Sequence, residues 1–163
     1  MQEVVSSWQR LLSEGFASSH ALLEYLDLPV ADASAEAEQL FKTRVPRGFA
    51  ACMARGNPDD PLLRQVLAIQ EEAVLTPGFV PDPLDEARYN PVPGLIHKYH
   101  GRVLLTVTGA CAVHCRYCFR RHFPYEANNP GRLGWQAAFD YIAADKSIHE
   151  VIYQGQWLFQ DRD

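Results

Sequence analysis

Apolar positions in the first ninety residues recur at the spacing of short helices. Trp8, Leu11 and Leu12 fall at i, i+3 and i+4, one side of a helix. Ser19 is placed to cap a run carrying Leu22, Leu23 and Leu26, and Pro29 stops it. Residues 33–42 form a second amphipathic stretch. Pro46 opens another short helix through Phe49 and Met53, and Gly56 follows where a left-handed residue closes such an element. Asp60 then precedes Pro61 as cap and first helical residue, with Leu62, Val66 and Ile69 on one face. Residues 76–94 lose any period. Pro77, Pro81, Pro83, Pro91 and Pro93 mark an extended connector there. The expected organisation is a helical N-terminal region over 1–90 and a second part over 91–163.

In that second part the period changes. Arg102, Val103, Leu104, Leu105, Thr106, Val107 and Thr108 form a β-branched, apolar run of the buried-strand type. Residues 135–144 read as a helix with Trp135, Ala138, Phe139 and Ile142 on one side, and Glu150, Val151, Ile152 and Tyr153 as a second strand. Strand, loop, helix, strand is a βαβ unit, so the strands are expected parallel with a right-handed crossover. The predicted class is α/β. Ligand groups in such units sit at the C-terminal ends of the strands, and the loop after the first strand is rich in cysteine.

Composition narrows the options. A net charge of −5 argues against nucleic-acid binding through bulk charge. No apolar run approaches the ~20 residues of a membrane span. The first residues lack the basic and apolar regions of a signal peptide. Of the 4 cysteines, three lie between positions 111 and 118, which is no secreted disulfide framework and fits a reducing cytoplasm. Cys52 stands apart, on a helical stretch, and is expected as a small core residue.

Cys111, Cys115 and Cys118 form a C-x3-C-x2-C run with Tyr117 just before the last cysteine. Three thiolates on one loop suit three irons of a cubane cluster, whereas cysteine-held [4Fe–4S] clusters usually have four protein ligands. Something else would then complete the fourth iron. Zinc is the rival, with His114 or His122 as fourth ligand. Cysteines that are simply buried are the third reading.

The cysteine run resembles the radical S-adenosylmethionine (SAM) signature. Its flanks narrow the likeness: Arg44-Val45-Pro46-Arg47, the run from Gly56 to Val66, the run from Val92 to His100, and Cys111 through Tyr125. Together they resemble the lysine 2,3-aminomutase family over roughly residues 40–153, in particular its branch that β-lysylates elongation factor P (EF-P). The resemblance implies a partial (β/α) barrel and conversion of (S)-α-lysine to (R)-β-lysine. It also implies a [4Fe–4S] cluster, SAM and pyridoxal 5'-phosphate (PLP) as cofactors. A radical takes a substrate hydrogen and the nitrogen migrates. The partners implied are L-lysine, EF-P and its lysyl ligase, with no nucleic acid and no membrane. Association with further copies of the chain is compatible with the sequence.

By position, Cys111, Cys115 and Cys118 match the cluster ligands and Tyr117 an aromatic residue near SAM. Arg120 matches an arginine that grips the substrate carboxylate, a contact its planar fork suits. Lys98 and Arg102 match basic positions that hold the PLP phosphate, although the first is arginine in the aminomutases, and Tyr99 lies between them. Arg116 and Arg121 read equally well as basic surface. His97, His100, His114 and His122 are expected as hydrogen-bonding residues. Two departures stand out. Where the family carries Ser-Gly-Gly-Asp-Pro-Leu against SAM, this chain has Gln154-Gly155-Gln156-Trp157-Leu158. Only Gly155 matches, and the bulk beside it is expected to impair SAM binding. The family's PLP-anchoring lysine and most of its barrel also lie past residue 163, so the expectation is an N-terminal fragment inactive by itself. A free β-lysine aminomutase and a non-catalytic zinc or iron–sulfur fragment are the alternative readings.

Overall fold

The computed structural model describes residues 7–129 and 134–154. Short helices come first: α1 (Ser7–Ser13), α2 (Ser19–Tyr25), α3 (Ala35–Leu40) and α4 (Arg47–Ala50). Serines start two of them. The Ser18 hydroxyl accepts from the Ala21 amide, one residue earlier than expected, and the Ser34 hydroxyl accepts from Ala37. The run after Pro61 is tighter than an α-helix, a 3-10 turn over Leu63–Gln65. Asp60 still caps it: one carboxylate oxygen accepts from Leu62 and Leu63, the other from Ala54.

The chain divides into two compact units. The first holds Met1–Phe79 with Ala112–Cys118, and the second holds Val80–Cys111 with Phe119–Asp163. The connector predicted over 76–94 is therefore shared between them. In the first unit Leu22, Leu23, Leu26, Val45, Leu63 and Val66 are buried with Phe16, Ala50 and Met53. Each such leucine or valine contributes about 1.5–3 kcal/mol by leaving water. Leu11 and Ile69, expected on buried faces, are exposed. Cys52 is exposed as well, its thiol bonded to the Gly48 carbonyl at 3.4 Å, which corrects its expected core position. The α4 helix ends at Ala50, so Cys52 leaves the helical face that would have buried it.

The second unit is a three-stranded sheet, β1 (Leu95–Tyr99), β2 (Arg102–Thr106) and β3 (Glu150–Gln154), in the order β1-β2-β3. β2 and β3 are parallel and joined through α5 (Gln136–Ala144), the βαβ unit predicted. β1 was not foreseen. It forms an antiparallel hairpin with β2, turning at Gly101, whose φ is +72°. Leu95, Val103, Leu105 and Val151 pack against Ala138, Trp135, Tyr141 and Ile142. Phe139, expected on that buried side of α5, is 50% exposed and stacks on Trp135 instead. Among the described residues no helix is long and apolar enough to cross a membrane.

Candidate functional site

Residues of alternate parity line the sheet face away from α5. Ile96, Leu104 and Ile152 are register partners across the three strands and form its apolar floor. Around that floor Lys98, Tyr99, Arg102 and Arg120 line one cavity of about 120 Å³, together with Glu86. The three cations matched to anionic groups of substrate and cofactor thus share one wall. Three cations against Glu86 and the Glu150 that pairs Arg102 leave that wall with a small positive excess, in a chain of net charge −5.

Each cation already has a contact. Lys98 donates to the Leu84 carbonyl at 2.7 Å and its ammonium lies 5.2 Å from the centre of the Tyr89 ring. Arg102 pairs with Glu150, its register partner on β3. Arg120 donates to Glu86 through Nε at 2.6 Å and Nη2 at 2.8 Å, a bidentate fork. The Glu86 side chain is only 8% exposed. Glu86 sits in the proline-rich stretch, where no periodicity singled it out. Its only sequence signal was its charge.

The same sheet face carries two buried polar atoms at the C-terminal ends of β2 and β3. The Thr106 hydroxyl and Gln154 Oε1 lack a protein partner among the described residues, and the two residues are register partners. A buried polar atom without a partner costs roughly 1–3 kcal/mol, so a polar ligand or water here gains what the protein does not supply. By the resemblance, Gln154 is matched to the first residue of a segment expected to contact SAM. Gly155, Gln156, Trp157 and Leu158 lie outside the described residues.

The cysteine loop is organised by residues between the thiols. Arg116 is buried, its side chain 7% exposed. Nε and Nη2 grip Glu72 at 2.7–3.1 Å, and the remaining donations reach the carbonyls of Phe41 and Ala37 at the end of α3. Its amide donates to the Gln65 carbonyl at 2.7 Å. Arg116 is therefore no surface cation. His114 stacks on Phe41 at 4.9 Å, and its Nδ1 meets the Lys42 carbonyl at 2.8 Å. Burial holds its pKa below the ordinary histidine value, aided by the charges of Arg44 and Arg116 against the opposing pull of the Lys42 carbonyl. A neutral, hydrogen-bonded His114 matches the expectation for it. His97 likewise bonds Tyr141 at 2.9 Å.

Tyr117 is exposed, donates to Gln65 Oε1 at 3.3 Å, and has its phenol pKa raised, first by a hydrogen bond with Cys115. Cys111, Cys115 and Cys118 are half-buried and free of disulfides. Thiols outside any disulfide, three to one loop, are the donor chemistry an iron–sulfur cluster requires. Among the described residues no three His, Cys, Asp or Glu side chains are gathered as a metal-holding group. The loop offers the right donor types.

Comparison with known proteins points the same way as the motifs. No protein-family model matches the chain. A protein of Escherichia coli K12 named L-lysine 2,3-aminomutase is 49% identical over 151 residues, covering 91% of this chain and 44% of that protein. One of the same name from Haemophilus influenzae is 46% identical over 91% of this chain and 45% of its own length. A third, from Buchnera aphidicola, is 41% identical over 74% of this chain and 35% of its own. The chain is thus similar to the first two of these proteins over about nine-tenths of its own length. Each of these relatives is named L-lysine 2,3-aminomutase, and the chain spans less than half of their length.

Proposed function

We propose that this chain supplies the cluster loop and the anion-binding wall of a cytoplasmic radical SAM aminomutase. The enzyme would convert (S)-α-lysine to (R)-β-lysine for attachment to EF-P by a partner ligase. The observation that carries the reading is the convergence of Lys98, Tyr99, Arg102 and Arg120 on one cavity, in a chain homologous to lysine 2,3-aminomutases. Those residues were matched to the phosphate and carboxylate contacts by position in the sequence. That they line one cavity is what supports this reading. The His122-Phe123-Pro124-Tyr125 run after Arg121 supports the EF-P branch over free β-lysine metabolism.

Within this reading Lys98 and Arg102 hold the PLP phosphate, with Tyr99 beside them. Arg120, its guanidinium plane fixed by Glu86, faces the lysine carboxylate. Cys111, Cys115 and Cys118 hold the cluster, and Tyr117 flanks SAM. The buried Thr106 hydroxyl and Gln154 carbonyl receive polar atoms of the ligand. Bound together, the cluster and SAM supply the hydrogen-abstracting radical and PLP stabilises the migrating nitrogen. The protein's own part is to orient charges and keep water off the apolar floor of Ile96, Leu104 and Ile152.

The test is anaerobic purification with iron, sulfide and zinc counts, then SAM titration of the reduced protein followed by electron paramagnetic resonance. About four irons and four sulfides per chain is the expected result, with a signal that shifts on adding SAM, at a higher SAM concentration than a segment without the bulk after Gly155 would need. A colourless zinc protein, or a cluster blind to SAM, overturns it in favour of a non-catalytic metal-binding fragment.

A further inference from the structure

Of the five residues between the cysteines, Val113, His114, Arg116 and Tyr117 make contacts within the first unit, to which they belong. Arg116 makes the most. One buried guanidinium meets a carboxylate and two main-chain carbonyls, while the residue's own amide meets a third. Glu72 is set from its own side, with an oxygen accepting from the Ile69 amide at 3.3 Å. The Arg116 side chain is 7% exposed and that of Glu72 13%. A buried charge with this partner set has one place to go, so it fixes the backbone on either side of it.

We propose that Arg116, locked by Glu72, is a positioning residue that fixes Cys115 and Cys118 for cluster binding. Arg116 sits next to Cys115 in the chain and two residues before Cys118, so a fixed guanidinium limits where both thiols can stand. The amide of Cys118 also donates to the Cys115 carbonyl at 3.1 Å, closing a turn that ties the two cysteines together. Removing the lock frees the turn while leaving the apolar core of Leu22, Leu26, Leu63 and Val66 in place. The proposal rests on the cluster reading of the loop, and its test separates the two.

The metal-free full chain is labelled with a thiol reagent and each cysteine is read by mass spectrometry. Cys52, exposed and in the same unit, is the internal reference. In Arg116→Met the rates at Cys115 and Cys118 are expected to rise at least about fivefold relative to Cys52, the signature of local rather than global opening. Glu72→Gln keeps the arginine and its carbonyl contacts, and is expected to give a smaller rise in the same direction. It stands in should the first variant not fold. Anaerobic reconstitution of either variant is expected to yield less than about half the wild-type iron at unchanged helical circular dichroism. Unchanged ratios in both variants, or a rise shared equally by Cys52, overturn the proposal. A wild type that takes up no iron defeats the cluster reading instead, and the labelling ratios still judge the lock.

Discussion

At the scale of single residues, the two carboxylates of greatest consequence are Asp60 and Glu86. Asp60 is 6% exposed and receives three amide protons, from Ala54, Leu62 and Leu63. These bonds favour its charged form and lower its pKa, that with Ala54 most. A depressed folded pKa means the stabilisation is fully present above the ordinary carboxylate value near ~3.9 and is lost as pH falls through the folded value. Asp60→Asn offers one acceptor where three donors need two, so its midpoint of thermal unfolding should fall at neutral pH. The gap from wild type should then close on acidification below ~pH 4. A gap that stays constant between neutral and acid pH contradicts this account. Glu86 is different, because its partner Arg120 keeps 27% of its side chain exposed. Breaking a fully buried pair costs roughly 3–5 kcal/mol. Water at Arg120 should hold the loss in Glu86→Gln to about 1–3 kcal/mol, read as a lower urea midpoint at unchanged slope. Asp60 was legible in the sequence because Asp-Pro before an apolar run is a helix-start signal. Glu86 was not, because a pair between residues 34 apart leaves no local pattern.

At the scale of elements, the βαβ unit could be read from the chain because two β-branched runs flank a helical one. β1 could not. Its five residues follow Pro91 and Pro93, and His97 and Lys98 break the apolar alternation. What makes it a strand is the hairpin with β2, a tertiary fact set by the turn at His100 and Gly101. That turn is tested by Gly101→Ala. The φ of +72° is a left-handed conformation, and an added Cβ would lie 2.2 Å from the His149 ring and 3.1 Å from the Ser147 carbonyl. The Gly101 carbonyl also accepts from the His149 amide at 2.9 Å, so the turn between β1 and β2 supports the start of β3. Conformational strain of about 1–2 kcal/mol adds to the clash, and the expected total is about 2 kcal/mol or more. Amide hydrogen exchange should speed up in β1 and β3 together. Exchange that rises in β1 alone would show that the turn serves only its own hairpin. The short helices show the opposite lesson: the cap at Ser18 was legible to within one residue, whereas the cap at Ser34 and the helix ends were not. Stretches of four to seven residues rely on packing for stability rather than on propensity.

At the scale of the whole chain, charge is divided unevenly. The net value is −5, yet one cavity collects Lys98, Arg102 and Arg120 over an apolar floor. Such a wall beside low-dielectric side chains focuses potential on whatever anion enters. Two of the cations are held loosely enough to turn toward a ligand. Lys98 has a neutral carbonyl and an aromatic face as partners, and Arg102 has a half-exposed glutamate, an ion pair of the kind that contributes little at a surface. Arg120 is held by a nearly buried carboxylate and stays put. The phosphate of PLP should therefore draw on Lys98 and Arg102, and a charge-assisted contact contributes about 1.5–3 kcal/mol. Lys98→Gln and Arg102→Gln are each expected to weaken PLP binding by roughly tenfold or more, measured by titration of the cofactor's absorbance at fixed low salt. Raising salt should weaken wild-type binding more than that of the double variant, because the lost contacts are the charged ones. Pyridoxal, which lacks the phosphate, supplies the control. If both substitutions weaken pyridoxal as much as PLP, the two residues shape the cavity rather than bind its anion.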